Sequence, residues 1–151
     1  MPTFSSLRNK TLLAVELTLI CCAAQAADFE NIVGTTKLLD MNNIEIQADG
    51  LRRVWQKYTL NTEIIDKLEA NLRLNGKVVN YSKYSHTIAS WEYDCKGKQF
   101  RVIAGADYSS DGEVINSFQL KGAVMQLAIP DSDGEVTLTA VCAMKPKKRK
   151  Q

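Results

Sequence analysis

The chain has 151 residues, 45% of them hydrophobic, and a formal charge of +2 from 19 basic and 17 acidic side chains. That is ordinary globular composition for one domain, and it excludes a low-complexity or highly charged disordered chain. The charge is uneven: residues 28–144 are mildly acidic, whereas Lys145, Lys147, Lys148, Arg149 and Lys150 crowd the last seven positions with no acid among them.

Residues 1–26 read as a secretory signal peptide. Arg8 and Lys10 form a charged start, residues 11–24 an apolar run interrupted by Glu16, and Ala24-Gln25-Ala26 a small-x-small site with cleavage after Ala26. The run is shorter than the roughly 20 residues of a membrane span. Cys21 follows Ile20 and Cys22 follows Cys21, where lipoprotein signals carry a small residue, so lipidation is disfavoured. The expectation is an exported protein of the periplasm or cell surface, with no transmembrane segment in the mature chain. Its folded domain spans 27–144, and residues 145–151 form a disordered basic tail.

Residues 35–59 read as β structure: a strand over 35–39, a turn at Asp40-Met41-Asn42-Asn43, alternation over 44–47, a hairpin signal at Asp49-Gly50, and a strand over 51–59. Residues 62–74 change period. Ile64, Ile65, Leu68 and Leu72 recur at helical spacing, with Glu63 and Asp66 early and Asn75-Gly76 as a stop, which predicts an inserted amphipathic helix covering its own domain. Residues 78–81 read as a short edge strand.

The central feature is a hairpin. Ala89, Trp91, Tyr93 and Cys95 alternate with polar residues, as do Phe100, Val102, Ala104 and Ala106. A two-residue turn at Gly97-Lys98, with Gly97 supplying the positive φ, sets Cys95 opposite Phe100, Tyr93 opposite Val102 and Asp94 opposite Arg101. A turn at 109–112 and strands over 113–120 and 122–129 follow, the last ended by Pro130. Residues 131–143 stay open between two readings. Val136, Leu138, Ala140 and Cys142 alternate like a strand, while Ser132-Asp133-Gly134-Glu135 fits a helix-capping box.

Beyond the leader only Cys95 and Cys142 remain. In an exported domain they most simply form one bridge, and closing a loop of about 48 residues is worth roughly 4 kcal/mol. Free buried cysteines are the alternative.

The ordered set Ile32-Val33-Gly34, Val54-Trp55, Ser90…Tyr93-Asp94-Cys95, Arg101, Tyr108-Ser109-Ser110-Asp111-Gly112 and Ile129-Pro130-Asp131-Ser132 before Cys142 resembles the surface-adhesin protein E-like family of bacterial envelope proteins over about residues 29–143. The resemblance implies an α+β fold: an antiparallel sheet of about six strands with a C-terminal helix on one face, pinned by the bridge. It thus favours a helix over 131–143. It also implies adhesion to host matrix or serum glycoproteins, and haem binding has been associated with the type member. The helical insertion at 62–74, the basic tail and Gly122-Ala123-Val124-Met125, where the family carries an aromatic, depart from its pattern.

Nothing in the residues themselves spells a reaction. His86 is the sole histidine, which excludes a multi-histidine metal site and makes a haem ligand the weaker reading beside a strand-surface histidine. Asp107, Asp111 and Glu113 read as turn-forming acids that match no calcium loop. Trp55, Trp91, Tyr58 and Tyr93 read as core. No nucleophile–histidine set and no phosphate loop occurs, and no cofactor is expected. Lys145, Lys147, Lys148, Arg149 and Lys150 are a candidate polyanion contact, and an open sheet edge is a route to a homodimer. The expected function is a non-enzymatic exported binding domain, a surface adhesin for host glycoproteins. The alternative is a periplasmic structural or inhibitory module binding an envelope component or polyanion.

Overall fold

The computed structural model of the chain describes residues 27–145. The expected signal peptide and its cleavage site, Cys21 and Cys22, and Lys147, Lys148, Arg149 and Lys150 of the expected tail lie outside these. The elements in chain order are β1 (Phe29–Asn31), β2 (Leu38–Asp40), β3 (Glu45–Ile46), β4 (Arg52–Tyr58), α1 (Thr62–Leu74), β5 (Tyr84–Asp94), β6 (Gln99–Ser109), β7 (Val114–Gln119), β8 (Gln126–Leu127) and α2 (Asp133–Ala143). Strands run in the order β1-β2-β4-β5-β6-β7, with β3 continuing the edge beside β4 and β8 that beside β6. Every pairing is antiparallel. The α+β architecture, with about six main strands and a C-terminal helix, is therefore as expected.

The central hairpin differs in register. Tyr93 faces Phe100, Glu92 faces Arg101 and Trp91 faces Val102. The turn is longer than two residues because the Asp94 side chain accepts bonds from the Lys96 and Gly97 amides at 2.9 and 3.0 Å. Lys98, not Gly97, takes the positive φ, at 52°. Near the turn the pairing thus slips by two residues, which keeps Phe100 and Val102 on the face of Tyr93 and Trp91, as expected. A bulge between Ser90 and Trp91 then adds one residue to β6 and turns Ala104 and Ala106, expected on the face of Phe100 and Val102, to the opposite face, where they pair with Ser90 and Ile88. The expected edge strand at 78–81 is a loop, because its Tyr81 amide is taken by the Glu69 carboxylate at 2.7 Å and no strand reaches it. Strand β1, which was not foreseen, pairs Phe29 with Asp40.

Leu39, Val54 and Tyr93 on one sheet face pack with Ile32, and with Leu138 and Val141 of α2, as the dry core. Ser132 caps α2, its hydroxyl accepting from the Glu135 amide at 3.3 Å, while the Glu135 carboxylate reaches back to the Asp131 amide at 2.8 Å. At the other end, Arg52 donates to the Val141 and Met144 carbonyls at 2.9 and 2.6 Å, placing a cation at the negative pole of a helix with no basic residue in its last turn. Cys95 and Cys142 form a disulfide with Cα atoms 5.7 Å apart, tying α2 to the end of β5. Gly134 allows the close approach, since a Cβ there would lie 2.8 Å from the Phe100 ring.

Helix α1 sits differently. Asn61 caps it, its side chain accepting from the Ile64 amide at 2.9 Å, and a Glu63–Lys67 pair decorates its exposed side. Yet α1 has no buried residue. It leans over the far end of the same face that α2 covers, touching the sheet through a groove rather than a packed seam.

Candidate functional site

The two sheet faces differ in cover. The face carrying Val54, Trp91 and Tyr93 lies beneath α2 at one end and α1 at the other. Strand alternation turns Arg53, Trp55 and Lys57 of β4, His86 and Glu92 of β5, and Arg101 and Tyr108 of β6 to the opposite face, which no helix of the described residues covers.

Glu92 organises this open face. It is only 4% exposed, yet no helix shields it. Two guanidinium groups do so instead. Arg53 donates through Nη2 and Nε to Oε1 at 2.5 and 3.2 Å, and Arg101 through Nη2 and Nε to Oε2 at 2.7 and 2.9 Å. Arg101 is fixed further by a 3.1 Å bond from Nη1 to the Ala123 carbonyl. Burial acts to raise the Glu92 pKa, but the hydrogen bonds and charges of both arginines outweigh it and hold the carboxyl below its ordinary range. The result is a fixed pair of guanidinium planes about one buried acid.

Beside this triad Trp55 is 42% exposed, and so is not the core residue that the large area of an aromatic side chain suggested. His86 stacks on Tyr108, with ring centroids 5.2 Å apart and planes within 9°. Burial, and then the Lys57 charge, lower the His86 pKa, which favours the neutral ring. The other aromatics do pack inward. Trp91 meets Tyr58 edge-on at 6.2 Å, and Tyr93 meets Phe100 at 5.9 Å.

On the covered face, a groove of about 460 Å³ runs between α1 and β5–β7, lined by Tyr58, Leu60, Leu68, Leu72, Phe118 and Leu120. Asp107 lies in its wall, accepting from the Thr87 hydroxyl at 2.5 Å and the Tyr81 hydroxyl at 2.6 Å. Burial and the Asp107 charge push the Tyr58 phenol up to about 12.

The acids singled out beside the 109–112 turn do not converge. Asp107 is buried in this hydroxyl network, and Asp111 pairs with Lys83 at 2.7 Å. Among the described residues no group of three His, Cys, Asp or Glu side chains is placed to hold a metal ion. Of the candidate polyanion contacts only Lys145 is described; it is exposed just beyond α2. No described helix is long and apolar enough to cross a membrane. The Arg53–Glu92–Arg101 triad was missed from sequence. Its signal was an acid between two aromatics in an alternating strand, legible once the register set it opposite Arg101.

No curated protein matches the chain at a significant level. The family model described as surface-adhesin protein E matches residues 30–143, from β1 to the last turn of α2. The match thus takes in both sheet faces, the triad and both bridged cysteines, and the chain belongs to the surface-adhesin protein E family.

Proposed function

We propose that the mature chain is an exported, non-enzymatic adhesin domain that engages host matrix or serum glycoproteins through its open sheet face. The observation that carries this reading is the triad. Glu92 fixes Arg53 and Arg101 in a cationic surface beside Lys57 and the exposed Trp55. Fixed guanidinium groups suit carboxylate and sulfate groups of acidic saccharides, and an exposed indole suits the apolar face of a sugar ring. Family membership supplies the adhesin role, and charge complementarity supplies the choice of face.

The test is binding of the mature protein to immobilised matrix and serum glycoproteins at two salt concentrations, with and without residues 145–151. Binding that survives tail removal supports the sheet face. Salt-sensitive binding lost with the tail would overturn this assignment in favour of a polyanion-tethered envelope module. Protease access to the protein on intact cells supports surface display, and full protection would place it in the periplasm.

A further inference from the structure

The groove beneath α1 has no part in the adhesin reading. Its volume, about 460 Å³, falls in the range of small-molecule pockets. Leu68 and Leu72, the inward stripe of α1, line this space instead of a packed core, and α1 has no buried residue. Across from them, the Phe118 ring reaches over Gly105, where a Cβ would come within 2.7 Å of its ring edge. The α1 wall is apolar, and the sheet wall sets Phe118 and Leu120 among Thr87, Asn116, Ser117 and Gln119.

Two charged side chains line the groove. Asp107 is 1% exposed and both its oxygens already accept hydroxyl bonds, so it offers little to a cation. Lys77 also lines the groove; it is exposed and has no ion-pair partner among the described residues. Arg73 follows Leu72 in sequence and Lys121 follows Leu120, adding cations next to lining residues. Leu74 and Val78, close to Lys77 in sequence, are 88% and 96% exposed. A trough with an apolar wall and an unpaired ammonium in its lining complements a straight hydrocarbon chain ending in an anion.

We propose that this groove binds a straight-chain fatty acid, with the chain lying between Leu68 and Leu72 of α1 and Phe118 of β7 and the carboxylate beside Lys77. This does not rest on the adhesin reading, since it uses the opposite sheet face.

The experiment is titration of the mature, oxidised protein with a fluorescent polyene fatty acid, followed by displacement with laurate and with dodecyltrimethylammonium. The expected result is saturable binding that laurate displaces and the cationic amphiphile displaces at least tenfold less well. Lys77→Glu, an exposed change that leaves the fold intact, weakens binding about tenfold. Leu72→Glu abolishes it, with far-UV circular dichroism confirming that α1 persists. Trp55→Ala leaves it unchanged. Absence of saturable binding, equal displacement by the two amphiphiles, or full affinity in Lys77→Glu would each overturn the proposal.

Discussion

Replacing Glu92 by Gln removes the charge that holds the open face together. The wild-type carboxylate accepts four N–H bonds from two guanidinium groups at 2.5–3.2 Å. Gln keeps one acceptor oxygen, turns an NH₂ toward the other arginine, and leaves two like charges adjacent. Bonds to charged groups are worth about 1.5–3 kcal/mol when buried. The Arg53 and Arg101 side chains are 37% and 32% exposed, so water recovers part of each loss. A net cost of about 2 kcal/mol follows, or about 8 °C in Tm for a domain of this size. The pH dependence has a definite sign. The folded carboxyl titrates below its ordinary value of 4.5, so its stabilisation is fully present above that value and is lost as pH falls through the folded pKa. Urea unfolding of wild type and variant at pH 7, 5 and 3 measures this directly. The gap should be constant from pH 7 to 5 and shrink toward pH 3. A gap that is absent at pH 7, or that does not change down to pH 3, would refute the assignment of a buried, doubly bridged carboxylate.

Four further changes probe the frame. The double substitution Cys95→Ser, Cys142→Ser should cost roughly 4 kcal/mol by loop closure, and chemical denaturation showing less than about 1 kcal/mol would mean the bridge does not anchor α2. Lys98→Gly relieves a left-handed residue at φ 52° and should stabilise by up to about 1 kcal/mol; a loss of stability would count against that turn. Ser132→Ala removes the α2 cap and should cost about 1 kcal/mol in thermal unfolding. Gly105→Ala places a Cβ 2.7–2.8 Å from Phe118, Ala89 and the Ile88 carbonyl and should cost about 1–3 kcal/mol; a neutral result would show that Phe118 does not rest there.

Faces were easier to read than pairings. Alternation from Ala89 to Tyr93 and over Phe100 and Val102 predicts which residues share a side, and a two-residue slip preserves this, whereas the bulge beyond Val102 turns Ala104 and Ala106 to the other side. The slip itself depends on the Asp94 carboxylate capping two amides, a local competition that a Gly-Lys pair conceals. Trp55 shows a different limit. Its alternation with Val54 is plain, but which face receives helices depends on where α2 docks, a long-range choice tied to the Cys95–Cys142 bridge. The 131–143 segment carries both periods, and the Ser132 cap, the Gly134 approach to Phe100 and the Arg52 contact to its last carbonyls together favour the helix. The bounds of α1 follow from its stripe and its Asn75-Gly76 stop, whereas the space beneath it does not, because periodicity marks an apolar face without saying how tightly it packs.

The most direct test of the adhesin account is the affinity of the mature, oxidised domain for a host glycoprotein that it binds, compared with that of the double variant Trp55→Ala, Lys57→Ala. Both side chains project from the uncovered face, so the account predicts unchanged Tm and at least a tenfold loss of affinity. Full affinity in a folded double variant would contradict it and move the binding surface away from the Arg53–Glu92–Arg101 face.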